Sequence, residues 1–201
     1  MINLLRCVFH PFDSFYAIKE EGRGSVTQAL LIILAFFFVA VFHRQNTGYT
    51  FNMNDPSDLN VWLIAAKTVL LFALWVVGNW AAATWMDGEG KAVQIVMVSA
   101  YAIVPYVASV LIGTLLSNVL LQEEGVFIHY LAVVGMLWSG ALMLIGMQTI
   151  HDYGFIKTVQ SLALTLAAMG IIVFLGMLFY TLFQQAWVFV YTIYNELLFR
   201  L

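Results

Sequence analysis

The residues able to do chemistry are few. Histidines stand at positions 10, 43, 129 and 151, and the carboxylates Asp13, Asp87, Glu89 and Asp152 accompany the segments around His10 and His151. Histidine and carboxylate together are the material of a metal centre or an acid–base pair. The spacing that either requires is missing: there is no His-x3-His, no His-Glu-x-x-His and no Cys-x-x-Cys. A serine protease working inside a membrane needs a glycine-flanked nucleophile, and Ser139-Gly140 lacks the preceding glycine. A glutamic one needs a Glu pair with an arginine four residues on. Glu123-Glu124 meets Ile128 there, and Glu20-Glu21 meets Gly24 or Ser25. No glycine-rich phosphate loop occurs. The single cysteine, Cys7, excludes an internal disulfide framework. No catalytic residue, cofactor or metal ligand is expected, so the protein is not expected to be an enzyme.

The elements that would position such residues are set by composition. The 201 residues are 63% hydrophobic and 9% charged, with a mean hydropathy of +0.92. A soluble domain carries about 25% charged residues, so lipid must be the solvent for most of this surface. The net charge of −3 is too small to suggest nucleic acid. The expected fold is all-α: an integral membrane bundle of five transmembrane helices with N-terminal and C-terminal interfacial helices.

Residues 1–25 carry Leu4, Leu5, Val8, Phe9, Phe12, Phe15, Tyr16 and Ile18 at roughly helical spacing, interrupted by Pro11. The segment reads as one or two amphipathic helices in the headgroup layer, or equally as a packed lid on the bundle. It has no signal-peptide cleavage site, so the first span is expected to stay as an anchor. Residues 26–185 form the five-span domain. Span 1 is Val26–Phe42; its Phe36-Phe-Phe38 run and lack of glycine suggest a lipid-facing helix. An aqueous loop, His43–Asn60, carries Asn46, Thr47, Gly48, Asn52, Asn54, Asp55, Pro56 and Ser57. Span 2 runs from about Asn60 to Trp85, with Lys67 placed to snorkel and Gly78 and Ala82 as a small-residue pair.

Span 3, about Ala92–Leu121, exceeds one straight crossing. Pro105 supplies a kink, and Pro105, Ser109, Gly113 and Ser117 then share one face, expected to pack on span 4 or 5. Span 4, about Val126–Ile150, offers Gly135, Ser139 and Gly146. Span 5 starts near Thr158 and is read to about Phe183, with a break at Gln184-Gln185. Residues 186–201 follow as an aromatic interfacial helix carrying Trp187, Tyr191 and Tyr194. With the N-terminus inside, Arg6, Lys19, Arg23, Lys91 and Lys157 lie on the inner side, against Arg44, Lys67 and Arg200. That bias gives a cytoplasmic N-terminus and an extracellular C-terminus.

Several short motifs keep a fixed order along this topology. Pro11-x-x-x-Phe15 precedes span 1. The inner loop carries Gly88-Glu89-Gly90-Lys91, and Tyr101-Ala-x-x-Pro105 follows in span 3. The second inner loop is Asp152-Tyr-Gly154-Phe155-x-Lys157. Over about residues 10–185 the chain resembles the Yip1-type membrane protein family. The resemblance implies an N-inside bundle of five helices without known enzymatic activity. Eukaryotic members resemble scaffolds for small GTPases and vesicle traffic and usually carry long soluble N-terminal regions. This chain has only about 25 residues there, which points to the compact prokaryotic branch in the cell membrane, some of whose members accompany ABC-type transport systems. The function expected is a non-catalytic membrane adaptor, in its concrete form an accessory subunit beside ABC transporter permeases. Its partners would be membrane lipids and a membrane protein or a second copy, and no nucleic acid. The alternative is a small transporter or lipid-handling protein with a cavity near the Pro105 kink.

Overall fold

The computed structural model describes residues 4–52 and 59–200; the stretch holding Asn54, Asp55, Pro56 and Ser57 lies outside these. Among the described residues every regular element is a helix. Two short helices, α1 (Leu4–Phe9) and α2 (Pro11–Lys19), precede α3 (Val26–Asn46). Next come α4 (Val61–Ala65) and α5 (Leu71–Trp85), joined by a π-helical turn, Ala66–Leu70. Then follow α6 (Ala92–Ala102), α7 (Val104–Leu116), α8 (Gly125–His151) and α9 (Phe155–Arg200). Five helical segments are long and apolar enough to cross a membrane: Val26–Asn46, Val61–Trp85, Ala92–Leu116, Gln122–His151 and Phe155–Glu196.

Helix α6 is the axis. Seven of its residues in succession but for Val96 are buried, from Ile95 to Ala102, and α1, α2, α3, α5 and α8 all pack on it. Such a central helix can afford no charge, and it has none. The core gathers where α3 and α6 begin and α8 ends, here called the near end. Phe15 and Ile18 of α2 and Cys7 of α1 are buried in it together with Ile95, Val98, Tyr101, Met147 and Ile150. The N-terminal segment is therefore packed as a plug into the bundle, while Phe9, Phe12 and Tyr16 on its other face stay exposed. Ser25 caps α3, its Oγ accepting from the Gln28 N–H at 3.3 Å.

The proline in span 3 separates α6 from α7 at Ile103 (φ −80°, ψ −7°). Proline has no N–H, and the bend deprives the next residue of its helical acceptor. In hydrocarbon a backbone donor without a partner costs several kcal/mol. Here the Tyr106 N–H donates to Ser139 Oγ on α8 at 3.0 Å. Ser109 Oγ in turn donates to the Tyr106 carbonyl at 2.8 Å. Gly135 admits this approach: a Cβ there would run into Ser109 Oγ and the Pro105 carbonyl. At the far end, Gly48 N–H donates to Ser117 Oγ at 2.8 Å, which fastens the chain leaving α3 to the end of α7.

Several boundaries differ from the sequence reading, and span 3 ends at Leu116 rather than Leu121. Helix α3 continues past Phe42 to Asn46. More consequentially, the break at Gln184-Gln185 is absent: α9 runs unbroken from Phe155 to Arg200, so residues 186–200 continue the fifth span instead of forming a separate interfacial helix. The reason is chemical. Glutamine is polar but a good helix former, and neither Gly nor Pro follows Gly176. Lys67 is exposed within the π-helical turn.

Replacing Ser139 by Ala leaves the Tyr106 donor without its acceptor at the kink. The expected cost is about 1–3 kcal/mol, read as a lowered thermal midpoint of the detergent-solubilised protein, with Ser139→Thr retaining most of the stability.

Candidate functional site

The near end collects most of the polar side chains that the sequence singles out. Helix α5 stops at Trp85, and α8 stops at His151. Each is followed by an aspartate with left-handed backbone, Asp87 (φ 54°) and Asp152 (φ 54°). The left-handed conformation reverses the chain sharply, which turns the 86–91 loop back over the end of α8. Gly88 and Gly90 make this possible. A Cβ on either would strike the His151 ring, and one on Gly88 would also strike the Tyr153 hydroxyl.

His151 is the hub of the near end. It is 1% exposed. The Gly90 N–H donates to its Nδ1 at 3.3 Å, which places the ring proton on Nε2. Nε2–H then donates to Asn79 Oδ1 at 3.0 Å. Asn79, wholly buried in α5, donates from Nδ2 to Thr165 Oγ1 at 3.1 Å, and Thr165 donates to the Ser161 carbonyl at 2.8 Å. One directed chain of hydrogen bonds thus crosses from the 88–91 loop through α8 and α5 to α9. Both imidazole nitrogens are engaged, so neither is open to a metal or to a substrate proton. Among the described residues no group of three or more His, Cys, Asp or Glu could hold a metal ion.

Outside this chain lies a polar shell. The Tyr153 ring stacks on His151 with centroids 5.2 Å apart, and its hydroxyl donates to the Met86 carbonyl at 3.3 Å. Lys157 Nζ sits 4.5 Å from the Tyr153 ring centroid, a cation–π contact. Burial first, and Asp87 second, raise the Tyr153 phenol above its ordinary range. Lys19, at the end of α2, pairs with Glu89 at 2.7 Å. That hydrogen bond and charge hold the Glu89 carboxyl below its usual value. Gln94 Nε2 donates to the Lys19 carbonyl at 3.3 Å while its Oε1 accepts from the Lys91 N–H at 2.8 Å. The plug is thereby tied to the start of α6.

The residues named from sequence fall into separate groups. Gly88, Glu89, Gly90, Asp152 and Lys157 meet at the near end, with Lys91 opening α6 beside them; Gly154 faces open space. Tyr101 lies elsewhere, wholly buried, with its Oη 3.1 Å from Gln28 Oε1. Gly78 lies against Met169 and the Thr165 carbonyl of α9, and Ala82 is buried on the same seam. Ser109, Gly135, Ser139 and Pro105 meet at the kink, and Gly113 faces Ile128 on α8. Ser117 holds the far loop. The sequence reading missed the partnership of His151 with Asn79 and Thr165. Its trace in the sequence is the polar stripe Thr158, Ser161 and Thr165 on one face of an otherwise apolar helix, together with the lone mid-span amide of Asn79.

A family model for the Yip1 domain matches residues 5–193. The chain belongs to the Yip1 family. The match takes in the N-terminal plug and most of α9, so both are parts of the Yip1 domain rather than additions to it. No curated protein and no solved structure matches the chain.

Two outcomes follow for this Yip1 domain. Asn79→Leu strands the His151 Nε2–H, while the Thr165 hydroxyl keeps its bond to the Ser161 carbonyl, and thermal unfolding in detergent should show a loss of about 1–3 kcal/mol. Ser161→Ala should be neutral, because the Ser161 hydroxyl is buried without a hydrogen-bond partner among the described residues. Separately, Cys7, on α1 of the plug, is buried in the core. Glu89→Gln, which weakens the hold on Lys19, should speed maleimide labelling of Cys7 several-fold at constant pH.

Proposed function

We propose that this protein is a non-catalytic integral membrane adaptor that associates with another membrane protein through helix contacts at lipid depth. The observation that carries the reading is the state of α9. Every residue from Val173 to Tyr194 is exposed, and large apolar and aromatic side chains point outward on all sides, among them Phe174, Phe179, Phe183, Trp187 and Tyr191. A helix apolar all round belongs inside lipid or inside a larger assembly. The small-residue faces of spans 2, 3 and 4 are already occupied within the chain, at Gly78, Ser109 and Gly135. A partner must therefore use other surfaces. Gly170 and Gly176 on α9 and Gly140 on α8 have open space around them, and they would let a neighbouring helix approach closely.

The full hydrogen-bond engagement of His151 supports the absence of catalysis. Five apolar spans with the basic residues named above support a cell-membrane location, a cytoplasmic N-terminus and an extracellular C-terminus. The concrete form, an accessory subunit beside ABC transporter permeases, rests on the family resemblance alone. The alternative of a small transporter or lipid-handling protein needs a cavity at Pro105. There, Ser109, Gly135 and Ser139 bring α7 and α8 into direct contact, which weighs against it.

The test is purification from native membranes in mild detergent followed by mass spectrometry. A stoichiometric membrane-protein partner is expected, and Gly176→Leu should lower its recovery several-fold without lowering the thermal midpoint. Recovery of the chain alone, or only with itself, would overturn the adaptor reading.

A further inference from the structure

Between the plug and the end of α8 lies an open cleft of about 370 Å³. Its floor is Gln148 and Thr149 of α8; its walls include Phe12 and Tyr16 from α2 and Tyr153 from the α8–α9 turn. Three carboxylates line it, Glu20, Glu89 and Asp152, against one ammonium, Lys19. The Lys19 charge is already committed to Glu89 at 2.7 Å and lies 4.0 Å from Glu20. Asp152 is exposed and makes no ion pair among the described residues. The cleft therefore keeps an excess of negative charge beside aromatic rings.

Asp152 stands where glycine is the commoner residue. It caps the C-terminus of α8 in the left-handed conformation, φ 54° and ψ 46°. Glycine or asparagine takes that conformation at less cost. The carbonyl end of a helix carries partial negative charge, so a carboxylate there is repelled. A cation in the cleft would relieve that repulsion. The chain itself shows which kind of cation its walls accept. The Lys19 ammonium lies on the carboxylate side, and the Lys157 ammonium lies over the Tyr153 ring. Both are alkylammonium groups, and both are tethered at the rim. The exposed faces of Phe12 and Tyr16, together with Asp152 and with Glu20, which Lys19 reaches only at 4.0 Å, repeat the same chemistry with room for a free occupant.

We infer that this cleft binds an alkylammonium group between the Phe12 and Tyr16 rings and the carboxylates of Glu20 and Asp152. Aromatic faces and a carboxylate together recognise a substituted ammonium, whereas a metal ion would need converging ligands that the described residues do not offer. The cleft lies where α8 ends and α9 begins, at the ends of two helices long and apolar enough to cross a membrane, which brings lipid headgroups within reach. The ammonium is carried either by an aminophospholipid headgroup or by a free amine.

The experiment uses the full chain in nanodiscs of phosphatidylglycerol, which brings no ammonium of its own. Thermal midpoints are measured with phosphatidylethanolamine mixed into the discs, and separately with soluble ethanolamine or tetramethylammonium, each against sodium chloride at equal ionic strength. A dose-dependent rise with the lipid alone supports the site and assigns it to a headgroup; a rise with the soluble amines as well supports it as a general alkylammonium site. Asp152→Asn suits the left-handed cap, so its unliganded midpoint should be unchanged or higher, while the concentration needed for the shift rises at least tenfold. Glu20→Gln, on the other wall, should weaken the response in the same direction. No rise beyond that of sodium chloride, or an equal rise in Asp152→Asn, overturns the proposal.

Discussion

A polar group inside hydrocarbon must find its partner within the protein, and this chain meets that requirement with one imidazole. His151 ends α8, receives the 88–91 loop on one nitrogen and gives the other to Asn79, which reaches Thr165. Two distant stretches of the chain, α5 with the loop that follows it and α8 with α9, are thereby fixed in one register. The apolar contacts around this chain are permissive, since one aliphatic pair packs about as well as another. Hydrogen bonds of fixed direction are not permissive, and removing one member leaves the next unsatisfied. The glycines at 88 and 90 follow from this arrangement, because the loop has to touch the ring.

The same requirement explains the near end and the middle of the bundle. At the near end the plug, the 86–91 loop and the α8–α9 turn close over the core, so that Cys7, Phe15 and Ile18 belong to the interior. In the middle, Pro105 opens a gap in the backbone ladder, and Ser139 from the neighbouring helix closes it. Helix α9 meets the rest of the chain chiefly along α5. Its first turns carry Thr158, Ser161 and Thr165 inward, and beyond Ile172 it leaves the bundle to lipid. The molecule is ordered by polar contacts where it is compact and by solvent where it is not.

Much of this was legible in the sequence, because the relevant signals are local. A run of apolar residues long enough to cross a bilayer needs no tertiary information, and neither does a proline inside it; the five spans and the interruption beside Pro105 were read in this way. The family was readable from the order of short motifs. What escaped the reading depends on contacts between distant residues. Asn79 and His151 are separated by 72 positions, and Asn79 and Thr165 by 86, so nothing local announces their meeting. Residues 1–25 were ambiguous for a different reason: a helix that lies on a membrane and one that plugs a bundle need the same apolar spacing. At Gln184-Gln185 polarity was mistaken for a break, although a change in polarity does not bend a backbone.

The length of α9 bears on where such a protein is comfortable. At 1.5 Å per residue its 46 residues extend about 69 Å, roughly twice a hydrocarbon core of about 30 Å. The other four spans, of 21 to 30 residues, match that core far more closely. Within one molecule, four spans fit a bilayer of ordinary thickness while the fifth has apolar length to spare. Tilt or local thickening of the lipid absorbs such a mismatch, and the energetic cost changes with bilayer thickness. Because α9 is gripped only near its first turns, its free portion can respond to that thickness without disturbing the His151 junction. The chain thus combines a rigid body with a limb whose resting angle is set by the membrane around it.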